Sequence, residues 1–319
     1  MGESTGGDWP VHLRVQCRPR WPLSWPGATP DGLRRRRGQL LERLIGVDEQ
    51  LVLVRAAPAG AGNVLLGAWA TSQDAATEAI GRMRFVLGVD DDLRAFHERF
   101  RWDPWLGRGL RNDPGLRVPR HPRPFEALAW AICEQLIDFP RATAIQRRII
   151  ARLGRRCDRS DLRDAPTAAA IASSSTALLE SCDLSPSRSR TLVRVARLIV
   201  RRGLDLEQSA PEHGWETLRS IPGVGAWTIE MLALRGQGRL DQLPAGDLNL
   251  LKLVGRRASG DPHARAGEEE VREAFAPYAP YQGLAACYAM RLSSSSRPVR
   301  SPARAGTRRS SPSRPPVAA

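Results

Sequence analysis

The hydrophobic rhythm of the chain changes about a third of the way along. In "VHLRVQC", apolar Val11, Leu13, Val15 and Cys17 alternate with polar residues, which is the period of a half-buried strand. "RRRRGQLLERLI" reads as a short helix, and "LVLVRAAP" and "NVLLGAWA" as two strands around the loop "AGAG". "DAATEAIGRMRFVLGV" places Ile80, Met83 and Leu87 on one helical face. After the Pro/Arg-rich connector "NDPGLRVPRHPRP" the pattern turns helical. Phe125, Leu128, Ala129, Ile132 and Leu136 share one face, and "RATAIQRRIIARLG" runs to a glycine stop. "APTAAAIASSSTALLESCDL" and "SPSRSRTLVRVARLIVRRG" are two more helices, the second opened by Ser185 as N-cap and Pro186 at the first helical position. "PEHGWETLRS" leads into "IPGVGAWTIEML", and "GEEEVREAFAPYAPYQGLAACYAMRL" closes the helical part.

These patterns predict an α+β protein that is mostly α-helical. A small mixed α/β region with an antiparallel sheet spans residues 11–115, and a helical domain spans 116–291. Residues 1–10 are polar and Gly-rich, and 292–319 are Ser/Pro/Arg-rich with little to bury; both are expected to be disordered. The run Asp90, Asp91, Asp92 reads as a solvated loop.

Composition adds a partner. Among 319 residues, Lys+Arg number 48 and Asp+Glu 34, a net charge of +14, which suits a polyanion such as nucleic acid. Nearly all of this basicity is arginine, for which GC-rich coding is a second explanation; the only lysine is Lys252. Six arginines and no acid lie in the C-terminal tail, so 14 − 6 leaves +8 for the remainder. The five cysteines, Cys17, Cys133, Cys157, Cys182 and Cys287, form no C-x-x-C pair. That argues against a zinc knuckle or a cysteine-held cluster and fits a reduced, cytoplasmic setting. The five histidines show no paired ligand spacing, so no catalytic metal is indicated. Neither a signal-peptide core nor an apolar run of membrane-spanning length occurs, and no membrane is expected as partner.

The candidate chemistry lies in residues 221–250. Pro222, Gly223, Val224 and Gly225 sit between two amphipathic stretches. The two glycines allow a tight reversal with positive φ, after which a helix starts with free N–H groups that can hold a phosphate oxygen. This is a helix-hairpin-helix, which grips the DNA backbone without reading sequence. Asp247 follows some twenty residues on, after "LPAG", where a carboxylate near phosphate needs a reason. As an isolated residue it caps the helix "LNLLKLVGR".

"LRSIPGVGAWTIEMLALRG…LPAGDLNL" resembles the helix-hairpin-helix DNA glycosylases, of the 3-methyladenine-DNA glycosylase II type. "PFEALAWAICEQLI" and "DLSPSRSRTLVRVARLI" are similar to that family's opening and middle helices, so the resemblance covers most of the chain. It implies an enzyme of base excision repair, expected to act as a monomer at the nucleoid on double-stranded DNA containing damaged bases. The hairpin would anchor the backbone while the damaged nucleotide is flipped out. It gives Asp247 a catalytic role beside its capping one: stabilising the cationic sugar and orienting or deprotonating the attacking water. Leu136 matches the wedge that fills the vacated space, or is an ordinary core leucine; Gln135 bonds DNA or a neighbouring loop. Trp227 matches an aromatic pocket position that would hold a cationic alkylated purine, or is a core tryptophan between the hairpin helices.

Departures from the family pattern are also visible. Met231 and Cys287 stand where aromatic residues are usual, Tyr288 is expected to offset part of the loss at Cys287, and Asp138 replaces a serine. The lysine that some relatives use as nucleophile would lie two residues past Gly225, where this chain has Trp227, and Lys252 matches no such position. The resemblance therefore implies a monofunctional glycosylase that needs no cofactor, with room for a monovalent cation at the hairpin. A non-catalytic scaffold and a glycosylase for oxidised or deaminated bases are the alternatives.

Overall fold

A computed structural model describes residues 9–157, 160–207 and 211–295. The expected disorder of residues 1–8 and 296–319 lies outside the described residues; Ser293 to Ser295, placed in the tail from sequence, belong to the last helix. Five strands, β1 (Val11–Cys17), β2 (Arg34–Arg37), β3 (Leu40–Val47), β4 (Gln50–Ala59) and β5 (Asn63–Ala70), form one antiparallel sheet in the order β1-β5-β4-β3-β2. Helix α1 (Gln73–Leu87) covers one face, with Ile80, Met83 and Leu87 buried in the contact. Ser72 caps its start and Gly88, at φ 65°, ends it.

Residues 34–45 are strands, not the helix their pattern suggests. Gly38, at φ 58°, makes a two-residue turn with Gln39 that pairs Arg37 with Leu40. The following strand is buried on both faces because both are covered. Leu41, Ile45 and Val47 pack toward α1, and Leu44 packs with Leu53 and Leu162 on the other side. Burial thus hides the two-residue alternation. Its buried Arg43 reaches Glu126 on α4 (Pro124–Glu134) at 2.6 Å, and His121 Nδ1 lies 2.8 Å from the same carboxylate. Burial opposes ionisation of Glu126, but Arg43 and His121 together hold its pKa down to about 2. The pair pins the sheet to the first turn of α4.

The acidic run 90–92 is not a merely solvated loop. Asp91 accepts from the buried Arg120 at 2.9 Å, and Asp90 pairs with Arg84 at 2.5 Å. Helices α2 (Arg94–Phe100) and α3 (Gly107–Asn112) precede α4. After it come α5 (Phe139–Leu153), a two-stranded hairpin of β6 (Arg156–Cys157) and β7 (Ser160–Arg163), α6 (Ala168–Ser173), α7 (Thr176–Ser181) and α8 (Pro186–Arg202). The single helix expected over 165–184 is two, because Ser175 accepts from the Leu178 N–H and starts a fresh helix. Then follow α9 (Glu212–Arg219), α10 (Ala226–Met231) with a π-turn continuation to Gly236, α11 (Leu248–Ser259), α12 (Glu268–Phe275) and α13 (Gln282–Ser295).

The helices bury two cores. One gathers α4, α5, α6 to α10 around Leu128, Ile145, Leu192 and Ile229. The other gathers α2, α3 and α11 to α13 around Phe96, Val254, Phe275 and Tyr288. The segment after α10 joins them, with Leu232 and Ala233 in the first core and Leu234 in the second.

Candidate functional site

The turn between α9 and α10 is held from behind and bare in front. Val224 is its root, buried in the first core, while Pro222, Gly223 and Gly225 are exposed. Gly223 has φ 92°, and a methyl group there would collide with the Thr191 hydroxyl, which donates to the Pro222 carbonyl at 3.0 Å. Both observations demand glycine. Gly225 differs: its backbone is extended, and a Cβ would meet nothing within 4 Å. Among the described residues the N–H groups of Gly223, Gly225 and Ala226 have no hydrogen-bond partner. Exposed unpaired amides at a helix start form an anion site.

A second turn abuts the first. Helix α4 ends at Glu134, so Leu136 does not continue the buried face of Phe125, Leu128, Ala129 and Ile132. It stands in the left-handed region at φ 56° with its side chain 104% exposed, which rules out the core role. Gln135 is committed to the protein: its Nε2 donates to the Gly223 carbonyl at 2.8 Å and to Thr228 Oγ1 at 2.9 Å, tying the Leu136 turn to the hairpin. Arg188 on α8 braces the turn, donating to the Cys133 carbonyl at 2.8 Å and the Gln135 carbonyl at 3.2 Å. Ser185 caps nothing with its side chain and instead accepts from Arg188 Nε. Asp138 caps α5 by accepting from the Arg141 N–H at 2.9 Å, which accounts for an acid there.

Arg188 escaped the sequence reading because only the tertiary fold brings it to the end of α4. Arg188→Ala is expected to free the turn that carries Leu136 and to cost about 1–3 kcal/mol of stability for the orphaned carbonyls. Arg188→Lys, which keeps a donor, recovers part of that loss; thermal melts of the two variants check this.

Asp247 does cap α11. Its Oδ1 accepts from the Asn249 N–H at 2.8 Å and the Leu250 N–H at 3.4 Å. Among the described residues Oδ2 receives no hydrogen bond, and the side chain is part exposed. One oxygen serves the helix and the other is available. Gly246 beside it lies against Trp227, whose Cβ is 3.7 Å from where a Gly246 Cβ would stand. Met231 is one turn beyond Trp227 on the same face of α10 and is buried. Cys287 on α13 is packed against the second core, within electrostatic reach of Asp247. Burial pushes its thiol up to about 11, Asp247 adds to the rise, and Arg235 and Arg120 oppose it. Trp227 and Met231 thus share one face of α10, Asp247 follows the glycine that packs on Trp227, and Arg235 bridges to Glu134 at 3.6 Å.

Tyr288 does not join them. It is 0% exposed in the second core against Phe96 and His97, and its hydroxyl donates to the Asp113 carbonyl at 2.9 Å. Neighbours along a helix point about 100° apart, so a residue next to Cys287 cannot share its outlook. Glu230, unremarked in the sequence, is buried beneath the site. It pairs with Arg272 at 2.7 Å, and burial raises its pKa despite that partner.

Paired helices around a glycine turn with bare amides define a helix-hairpin-helix protein. Residues 129–280 match the HhH-GPD superfamily base excision DNA repair protein family, and the chain belongs to that superfamily. It is 30% identical over 190 residues to the alkylbase DNA glycosidase-like protein mag2 of Schizosaccharomyces pombe, covering 58% of this chain and 85% of that one. It is also 30% identical over 178 residues to the probable bifunctional transcriptional activator/DNA repair enzyme AlkA of Mycobacterium tuberculosis. There the match covers 54% of this chain but only 35% of the relative's length. The fold matches a 3-methyladenine DNA-glycosylase from Archaeoglobus fulgidus with a TM-score of 0.74 at 21% identity, over 87% of this chain and 97% of that one.

Proposed function

We propose that the protein is a monofunctional DNA glycosylase that removes alkylated, cationic purines from double-stranded DNA. The observation that carries this reading is the free Oδ2 of Asp247, next to the glycine that packs on Trp227, the second residue of the helix the bare hairpin opens. The hairpin amides take a backbone phosphate and Leu136 enters the stack as the damaged nucleotide leaves it. Trp227 then faces the extruded base. The N-glycosidic bond breaks with its electron pair going to the base, which becomes neutral. Positive charge develops on the sugar beside the Asp247 carboxylate. Water bonds to the sugar carbon, and its proton passes to the carboxylate or to solvent. The carbonyls of Ile221 and Gly223 each accept a single hydrogen bond, which leaves a lone pair for a monovalent cation between turn and phosphate. The names of the relatives agree with this reading.

Lyase chemistry needs an amine that can form a Schiff base. Trp227 occupies the position two residues past Gly225, and the sole lysine, Lys252, lies within α11. Incubation with duplex DNA carrying N-methylated purines is expected to yield strand breaks only after alkali. Breaks without alkali would contradict the monofunctional reading.

One observation favours a second reading, a glycosylase for oxidised or deaminated bases. Arg235 brings positive charge toward the pocket, and Met231 and Cys287 leave less aromatic surface for a cation. Including such duplexes in the assay separates the two, since each reading names the substrate that must be cut fastest.

A further inference from the structure

The wedge turn projects a second apolar side chain that the reading above leaves unused. Phe139 is 61% exposed at the first position of α5, three residues past the fully exposed Leu136. Folding does not explain it: Asp138 caps the helix and Pro140 stiffens its first turn, and neither needs an aromatic ring between them. Ile137, between the two, is packed against the first core and roots the turn. The turn is rigid by construction, with Arg188 on its carbonyls and Gln135 bonded to the hairpin. Two large apolar groups are thus held in solvent on a fixed backbone beside a phosphate-binding turn.

We propose that Phe139 is a second wedge that stacks on the unpaired base opposite the lesion while Leu136 fills the space of the flipped nucleotide. The assignment rests on the glycosylase reading. Residues three apart have Cα atoms no more than about 10 Å from each other, which keeps both side chains within reach of one disrupted base pair. The base opposite has lost its pairing partner, and an aromatic face replaces that loss by stacking, which works for any base because each presents a π-face. An apolar side chain without a ring fills space but does not stack. Phe139 then sets how the enzyme responds to the base opposite the damage, and Leu136 how the gap is held.

The test uses the full chain and a duplex in which an abasic-site analogue faces 2-aminopurine, a fluorescent base. Wild-type protein is expected to alter the fluorescence on binding. Phe139→Ala and Phe139→Leu are expected to lose that change and bind about tenfold more weakly. Their thermal unfolding stays unaltered, because the ring contributes little to the core. Phe139→Tyr, which keeps the stacking face, retains signal and affinity. Variants Ala and Leu that match wild type in signal and affinity, while wild type binds and excises, overturn this assignment alone. A wild-type protein that does not bind the duplex overturns the glycosylase reading, and the assignment with it.

Discussion

Asp247→Asn is expected to lower single-turnover excision by about two to four orders of magnitude, the range for a positioned acid–base group. It should leave the fold and duplex affinity intact. Asparagine is as good an N-cap as aspartate, so the bonds from Asn249 and Leu250 survive. What disappears is the negative charge on the uncommitted oxygen. The substitution thereby separates two roles that one side chain holds together. Asp247→Ala removes both and is expected to cost about 1 kcal/mol of stability besides the activity. Single-turnover rates with thermal melts of the two variants check the separation. Equal rates for Asp247→Asn and wild type would take the carboxylate out of the mechanism.

The two hairpin glycines are expected to fail in different ways. Gly223→Ala places a methyl group against the Thr191 hydroxyl and forces an L-residue to φ 92°. Such strain costs roughly 1–3 kcal/mol, or a Tm loss of about 2–10 °C for a protein of this size. Because Gly223 also accepts from Gln135, the shift passes to the wedge turn and excision falls with it. Gly225→Ala meets open space at an unstrained backbone, so the protein should melt as wild type. Its methyl group stands among the unpaired amides, so duplex affinity is expected to drop about tenfold as a phosphate loses its approach. Titrations of labelled duplex against each variant, beside melting curves, distinguish the two effects.

Features legible in the sequence were those set by nearby residues. The glycine turn, the cap at Asp247, α1, α8 and the strands β1, β4 and β5 follow from spacing and local hydrogen bonding. Features set by tertiary packing were not. Residues 40–47 lost their strand signature because both faces of β3 are covered, and the arginines before them imitated a helix. Spacing left Leu136 either a wedge or a core leucine, because the apolar face it extends continues to Ile132 on a helix but ends before Leu136, where the chain turns left-handed. Nothing local marks Arg188 as the brace of that turn, or Thr191 as the support of the hairpin. Phe139 did carry a signal: an apolar residue between a capping acid and a proline has no place in a helical stripe. Tyr288 could have been excluded by the angular step from Cys287 alone.

The central claim is that the Asp247 carboxylate touches the sugar of the nucleotide whose flanking phosphate the hairpin holds. It is tested most directly by a structure of the full chain bound to duplex DNA bearing a cationic abasic-sugar analogue. The account predicts Asp247 Oδ2 within ion-pairing distance of the analogue's charged ring, phosphate oxygens on the Gly223 to Ala226 amides, and Leu136 between the bases. A complex in which the duplex lies on another face, or in which the 247 carboxylate is turned away from the sugar, would contradict it.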